Sequence, residues 1–320
     1  MQLVSVAKDG FLNVRKPQGV SSHKCVQVVG HGGTLDPMAT GVLTMALGKA
    51  TKFLQVSQLA YLTSDKEYTG VIRFGVHTAL QRYIGDIDQV PPRVSALKRD
   101  GVRLYQLART NQVECQQVGL DGVALTDVDM KARKVHISDI ELRKFIPGSF
   151  PEADIRVVCG AGTYIRSIAR ECGEALVIPP EYLHSTDAAA RNSHGEFCAG
   201  GTLASLERTR SGIFTLESSF AFEEIRDQLA IGQSPLVSIE SAMVHLPSVH
   251  LSPKGAHRWL IGGISWIKSS DVVSAAGHGY ELTDGEIIRI YNSESEFLGV
   301  SQVEKQKNND GFVLRARRFV

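Results

Sequence analysis

The chain has 320 residues, and its 35 lysines and arginines nearly balance its 34 aspartates and glutamates, which leaves a formal net charge of +1. This length suffices for two domains, and the balanced charge excludes a strongly basic or acidic protein, so a nucleic-acid surface must be a local patch. The five cysteines include no CxxC pair, which argues against a disulfide framework or a zinc site and fits a reducing cytoplasm. We expect no membrane span and no signal peptide.

The first predicted elements are a short strand at residues 11–14 and a turn, KPQGVSSH, at residues 16–23. Ser21 or Ser22 can cap a helix that begins here. A lysine and hydroxyl groups near a helix N-terminus can also hold a phosphate. A simple turn and cap is the more common use of such residues, so the residues alone leave both interpretations open.

The segment HGGTLDPMATGVL, residues 31–43, combines paired glycines, an Asp-Pro step and an apolar run. Such glycines accompany tight turns or a close backbone approach, and an Asp before Pro is pushed toward an extended conformation. Asp36 has two interpretations. It is either an N-cap with proline at the first helical position or a carboxylate presented from a rigid loop as nucleophile or base.

Further along the chain, the patterns predict alternating strands and helices. Residues 53–62 and 101–109 suit helices, whereas residues 66–76 alternate with period two and place Tyr68 on an apolar face. Residues 135–145 and 155–159 read as strands.

A helix that Thr163 caps is predicted next, with an apolar face at helical spacing and Arg166 in its first turn. The helix dipole disfavours a cation there, so Arg166 needs an anionic partner. The candidates are Glu171, a solvent-side ion pair, Asp36 or an RNA phosphate.

Several of these segments resemble the TruB family, the tRNA pseudouridine-55 synthases. The HGGTLDPMATGVL segment resembles the motif that carries the catalytic Asp of that family, and KPQGVSSH resembles its KPxGxTS motif. The sequences KEY at residues 66–68, GTYIRSIARECGEAL from residue 162 and LASLERTRSGIF from residue 203 resemble further family motifs. The resemblance covers most of residues 11–217.

The resemblance implies an α/β fold of the α+β type, with a mixed, mostly antiparallel sheet flanked by helices. It implies isomerisation of a uridine at position 55, in the T-arm of tRNA, to pseudouridine. Asp36 is then catalytic, Tyr68 stacks on the uracil and Arg166 pairs with Asp36. The implied RNA-binding residues are Lys16, His31, Lys66, Lys98, Arg103 and Arg208. Leu203 or Leu206 is expected to wall the uracil pocket.

A change of pattern near residues 235–247 indicates a domain boundary. The short alternating strands at residues 286–291 and 297–303 resemble a small β-barrel of the PUA type. We therefore expect a synthase domain at residues 1–235 and an RNA-binding PUA-like domain at residues 245–320.

The chain departs from the family pattern at four places. Val94 stands where tyrosine is usual, and residues 177–198 form an extra stretch without an assigned role. The chain is short near residues 22–31 and 78–81, where the family carries a basic segment and a thumb-like insert. We hypothesise mobile RNA-contacting segments missing from the printed chain, with true deletion as the alternative. An intact mass of 34.9 kDa would support deletion.

We expect the chemistry to need no cofactor and no metal, and the protein to act as a monomer on tRNA. Asp36 could attack the sugar, attack the uracil ring or remove a sugar proton. Two other functions are considered. One is a catalytic subunit that a guide RNA and protein partners direct to its target. The other is a non-catalytic protein that binds or folds tRNA.

Overall fold

The computed structural model describes two large sheets, each with short helices against it, and two separate two-stranded pairs, one at residues 98–99 and 102–103 and one at residues 190–191 and 197–198. The described residues are 9–25, 30–54, 65–74, 83–92, 98–99, 102–103, 132–148, 150–177, 190–191, 196–274, 277–306 and 311–319. The predicted helix beyond residue 54, the short place at 78–81, residues 104–109 and most of the extra stretch 177–198 lie outside them.

The strands are numbered in chain order. The first ten are β1 Gly10–Lys16, β2 Gly30–His31, β3 Thr40–Leu47, β4 Lys66–Phe74, β5 Gly85–Gln89, β6 Lys98–Arg99, β7 Val102–Arg103, β8 Arg133–Ile146, β9 Glu152–Cys159 and β10 Ala190–Arg191. The others are β11 Phe197–Cys198, β12 Gly201–Ser211, β13 Phe214–Thr215, β14 Ser248–His250, β15 Ser265–Lys268, β16 Val272–Val273, β17 Ile287–Tyr291, β18 Phe297–Lys305 and β19 Gly311–Phe319.

The helices are short. The α-helices are α1 Ser22–Cys25, α2 Ile165–Glu174, α3 Phe222–Ala230, α4 Ile239–Ala242 and α5 Pro253–Leu260, and the 3-10 helices are Gly48–Phe53 and Ser269–Asp271.

The larger sheet has the strand order β1-β3-β12-β4-β9-β8-β5, with β2 paired to β3 and β13 paired to β12. Neighbouring strands are antiparallel except for the pair β12 and β3. The smaller sheet is curled and has the order β15-β19-β18-β17-β14-β16, with β14 parallel to β17. The mixed, mostly antiparallel architecture expected from the sequence is confirmed.

Strand β4 lies at the centre of the larger sheet, and its sequence alternates as a half-covered strand must. The side chains at Lys66, Tyr68, Ile72 and Phe74 are buried on one face. Helix α2 covers this face with its apolar side. The period-two prediction for this strand is therefore confirmed, and it places Tyr68 beneath the start of α2.

The smaller sheet packs on the outer side of β1 and β3. Val300 of β18 shares a core cluster with Phe11, Val42 and Met243. The packing is apolar, and such burial contributes about 25 cal/mol for each Å² removed from water. The two sheets therefore meet through a hydrophobic contact.

Two local predictions are wrong. Residues 102–103 form strand β7 opposite β6 instead of a helix, because pairing with Lys98–Arg99 overrides local propensity. Thr163 does not cap α2. The N-cap is Tyr164, without a side-chain bond, and the Thr163 hydroxyl donates to the carbonyl of Gly160 at 3.1 Å.

Within the described part of the chain, Cys25, Cys159, Cys172 and Cys198 are free thiols. No helix among these residues is both long and apolar enough to cross a membrane, and they contain no cluster of three or more potential metal ligands.

We predict that Gly173→Ala destabilises the protein. A β-carbon on Gly173 would lie 1.9 Å from the backbone nitrogen of Gly201, and backbone atoms cannot rotate away. Alanine favours a helix interior by about 1 kcal/mol over glycine, but the overlap should reverse this and cost about 3 kcal/mol net. Urea unfolding measures the effect. Gly160→Ala is the matched control, because its β-carbon would meet the nearest atom at an ordinary 3.7 Å.

Candidate active site

Asp36 begins a tight turn that leads into β3. The backbone N–H of Ala39 donates to the Asp36 carbonyl at 3.0 Å, and the chain enters β3 at Thr40. No helix starts here, so the capping interpretation of Asp36 is wrong. The turn leaves the carboxylate free to face another element.

Ser22 fixes the residue before Asp36. Its hydroxyl accepts the backbone N–H of Leu35 and donates to the carbonyl of the same residue, both at 2.8 Å. Ser22 is buried, so no water competes for these bonds. The serine that the sequence suggested as a cap thus holds the approach to Asp36.

Lys16 fixes the residue after Asp36. Its ammonium group donates to the carbonyls of Pro17, Val20 and Pro37 at 2.9, 2.7 and 3.3 Å. Its side chain has 0% exposed surface, which places the ammonium out of reach of an RNA phosphate. Lys16 therefore has a structural role in place of the predicted phosphate contact. All three hydrogens of its ammonium group are already donated to backbone carbonyls of the loops.

Arg166 holds the carboxylate itself. Its Nε donates to Oδ2 of Asp36 at 2.7 Å, and its Nη2 donates to Oδ1 at 2.9 Å. Two parallel bonds fix both oxygens of a carboxylate. The alternative partner Glu171 bonds Arg170 instead. Among the partners considered for Arg166, the structure selects Asp36.

Gln89, at the end of β5, fixes the start of the helix that carries Arg166. Its side-chain amide accepts the backbone N–H of Tyr164 at 2.8 Å and donates to the Tyr164 carbonyl at 3.1 Å. The Ser167 hydroxyl adds a bond to the carbonyl of Val90 at 2.7 Å. Gln89 was not among the predicted site residues. In the sequence it is only a polar residue at the end of a strand and belongs to no functional motif.

The pair of Asp36 and Arg166 lies in a cavity of about 240 Å³. Tyr68, Lys66, Leu206 and Arg208 line the same cavity. The volume is below the usual range for drug-sized ligands and suits a single planar ring. The cavity lining thus includes one carboxylate, three cations and two tyrosines, Tyr68 and Tyr164.

Arg208 is a buried cation that supports the cavity from below. It has 2% exposed surface, and it donates to the carbonyls of Val42 at 2.7 Å and Gly33 at 3.3 Å. Its guanidinium lies 6.0 Å from the ring centre of Tyr68, and burial raises the pKa of that tyrosine. Arg208 therefore orders the cavity floor. The RNA contact predicted for it could be made only with a nucleotide that enters the cavity.

Lys66 is the third cation of the cavity. Its side chain is 8% exposed, and burial together with the charge of Arg208 lowers its pKa from 10.5 to about 8. Within the described residues, no acceptor lies within hydrogen-bond distance of its ammonium group. Lys66 therefore carries a charge that no group in the described part of the chain pairs.

The other predicted site residues lie around this cavity. Leu206 lines it, whereas Leu203 belongs to the core of the sheet. His31 is the last residue of β2, five residues before Asp36. Its Nδ1 accepts the N–H of Gly33 at 3.4 Å. Lys98 and Arg103 are directly paired across β6 and β7, and their side chains are outside the described part.

Comparison with known families identifies two matches. A family model described as TruB family pseudouridylate synthase (N terminal domain) matches residues 23–82 and 76–165. A model described as PUA-like domain matches residues 249–313, which contain most of the smaller sheet.

Curated relatives are similar over most of the chain. The tRNA pseudouridine synthase B of Gloeobacter violaceus is 37% identical over 79% of this chain and 85% of its own. The enzyme of the same name from Trichormus variabilis is 34% identical over 92% of this chain and 94% of its own.

Solved structures share the fold. The crystal structure of a Cbf5-Nop10-Gar1 complex matches with a TM-score of 0.66 at 22% identity, over 98% of this chain and 85% of that chain. The structure of an H/ACA RNP bound to a substrate RNA containing 2'-deoxyuridine matches with a TM-score of 0.62 at 20% identity, over 97% and 84%. These identities show the fold alone.

We predict that Ser22→Ala loosens the turn that carries Asp36. Removing the hydroxyl leaves the N–H and the carbonyl of Leu35 without partners, which costs about 1–3 kcal/mol. Amide hydrogen exchange at Leu35 should become faster. Ser21→Ala is the matched control, since Ser21 only accepts a bond from Lys24, and it should leave exchange at Leu35 unchanged. Equal exchange in both variants would contradict the role of Ser22.

We predict that Lys66→Met stabilises the protein near pH 7. The folded chain holds this proton less tightly than the unfolded chain, because the pKa falls from 10.5 to about 8. The penalty is therefore complete below about pH 8 and is relieved as pH rises toward 10.5, so removing Lys66 should gain up to about 3 kcal/mol at neutral pH.

Urea unfolding across this pH range measures the gain, which should shrink above pH 8. The exposed Lys49→Met is the control, and it should change the free energy of unfolding by less than about 0.5 kcal/mol. A loss of stability in Lys66→Met at neutral pH would show that the ammonium group has a partner in the folded protein.

Proposed function

This chain belongs to the TruB family of pseudouridine synthases, and from that premise we propose that it converts uridine 55 in the T-arm of tRNA to pseudouridine, with Asp36 as the catalytic carboxylate. Isomerisation of uridine in tRNA is the activity that its relatives' name states. The position in tRNA and the roles of the residues are our inference.

The observation that carries the proposal is the pairing of Asp36 with Arg166 inside a cavity of single-base size. A uridine inside an RNA stem or loop must leave its stack before its glycosidic bond can react. The cavity can receive such a base, and Tyr68 offers an aromatic face beside the carboxylate. Stacking of a base on an aromatic side chain is worth about 1–3 kcal/mol, which helps to offset unstacking.

The reaction requires an ionised carboxylate near the ribose. The bidentate bond from Arg166 fixes the direction of the two oxygens of Asp36. Three actions are open to Asp36: attack on the sugar carbon C1', attack on C6 of uracil, or removal of a sugar proton. In each case Asp36 would react from the position in which its bonds to Arg166 hold it.

The other assignments follow from position. His31, on the loop leading to the site, is proposed to occupy the space that the extruded base leaves in the RNA. Lys98 and Arg103, on the paired strands β6 and β7, are proposed to contact phosphates. Residues 1–235 would carry the chemistry, and residues 245–320 would support RNA binding. We propose a monomer that works in the cytoplasm without cofactor or metal.

We predict that the purified protein releases tritium from tRNA transcripts labelled at C5 of uridine, with nothing else added. C5 must lose its hydrogen when it bonds to the ribose, so release measures the isomerisation. Asp36→Asn should reduce release by roughly 10³-fold or more while tRNA still binds in a filter assay. A transcript with cytidine at position 55 should release no tritium.

Each alternative gives a different result. Binding of tRNA without release, by the wild-type protein as well, would contradict a stand-alone synthase and favour a guide-dependent subunit or a tRNA-binding protein. Release from the transcript with cytidine at position 55 would contradict the assignment of the target. Full release by Asp36→Asn would contradict the catalytic role of this carboxylate.

A further inference from the structure

One of the positive charges in the cavity, the ammonium group of Lys66, has no hydrogen-bond acceptor within the described residues. Of its three cations, Arg166 is paired with Asp36, and Arg208 donates to the carbonyls of Val42 and Gly33. Lys66 is 8% exposed and, within the described residues, has no hydrogen-bond acceptor. Lys66 lines the cavity and its ammonium nitrogen is not fully buried, so the partner should be something that enters the cavity.

Lys16 is a buried lysine with a structural role, and it can be compared with Lys66. Its ammonium group donates to three backbone carbonyls within 3.3 Å. Lys66 lies two residues before Tyr68 on the same face of β4, and it lines the cavity with no such bonds. The contrast separates a lysine that stabilises the loop from one that faces a ligand.

We propose that Lys66 is a catalytic residue whose ammonium group hydrogen-bonds the uracil after it detaches from the ribose and stabilises the negative charge on it. This inference rests on the proposed function and deepens it. Fixed positive charge placed where negative charge develops is an efficient form of catalysis in a site that excludes water.

The chemistry leaves a charge of this kind. When the C1'–N1 bond breaks, its electron pair stays on N1, and the uracil becomes an anion delocalised over N1 and the two carbonyl oxygens. The ring turns, C5 bonds to C1', the C5 hydrogen leaves as a proton, and N1 gains a proton. The substrate and the product have the same charge, so stabilisation is needed only between them.

The symmetry of uracil lets one cation serve the whole turn. A half-turn about the line through C6 and N3 exchanges N1 with C5 and exchanges the two carbonyl groups. A carbonyl oxygen therefore occupies the same place before and after the turn. An ammonium group bonded at that place can hold the base in the cavity on both sides of the rotation.

The test compares Lys66→Met and Lys66→Gln with the exposed Lys49→Met, which removes the same charge elsewhere. Single-turnover tritium release and tRNA affinity by filter binding are measured for each. We expect both Lys66 variants to lose roughly 10²–10³-fold in single-turnover rate, with tRNA affinity within about threefold of wild type. Lys49→Met should keep the wild-type rate.

A substrate change identifies the charge that Lys66 stabilises. Fluorine at C5 withdraws electrons and makes the uracil anion more stable, so cleavage of 5-fluorouridine should depend less on Lys66. Disappearance of 5-fluorouridine from nuclease digests measures this step. The rate loss in Lys66→Met should be at least about tenfold smaller than for uridine.

The pH profile gives a second readout. Among the described residues, the charged or titratable groups around Lys66 are Arg208, Tyr68, Tyr164, Cys159, Asp36 and Arg166. Burial raises the pKa of Tyr68, and it raises that of Cys159 to about 11, whereas the pKa of Lys66 is about 8. The wild-type single-turnover rate should fall above about pH 8, and this fall should be absent in Lys66→Gln.

The outcomes separate this inference from the proposed function. No tritium release by the wild-type protein would contradict the proposed function and the inference with it. Release by wild type together with a full rate in Lys66→Met would overturn only the role of Lys66. An equal rate loss with uridine and 5-fluorouridine, or a loss confined to tRNA affinity, would likewise overturn it in favour of a structural or phosphate-binding role.

Discussion

The bidentate bond between Asp36 and Arg166 joins two segments 130 residues apart, and much of the fold serves to hold its two ends. Each end is fixed through a residue shortly before it, which is Leu35 next to Asp36 and Tyr164 two residues before Arg166. Ser22 bonds both backbone groups of Leu35, and Gln89 bonds both backbone groups of Tyr164. Neither the turn at Asp36 nor the start of α2 has a regular cap, so these side chains replace capping as the source of order.

The same arrangement explains the two buried lysines. Lys16 lies at the end of β1 and Lys66 at the start of β4, and both are buried. Burial lowers the pKa of each, because the protein interior disfavours the charged form. Lys16 is compensated by carbonyls of the loops that it joins. Within the described residues Lys66 has no such compensation, and in the proposed reaction the detached uracil would be the anion that its charge meets.

The packing of α2 connects stability to the site. Gly173 lets the helix approach the start of β12 closely, while Arg166 projects from the first turn of the same helix. Arg208 projects from β12 into the cavity. Since Arg166 and Arg208 line the same cavity, a shift of α2 against β12 at Gly173 would change the distance of Arg166 from the rest of the cavity. A change at Gly173 therefore reaches the site without touching it.

The sequence by itself determined the strands with a clear period of two, the apolar face of α2 and, through its motifs, the family, and it supplied the proposal of which residues carry the chemistry. Such signals are local, because a face or a motif is written in consecutive residues. Only the tertiary structure decided the partners. It paired Arg166 with Asp36 instead of Glu171, turned the chain at Asp36 without a helix, and made residues 102–103 a strand. It also buried Lys16 in a structural role, left Lys66 without a partner among the described residues, and brought Gln89 to Tyr164. These outcomes depend on contacts between distant segments, which compete with local preference and which no stretch of sequence contains.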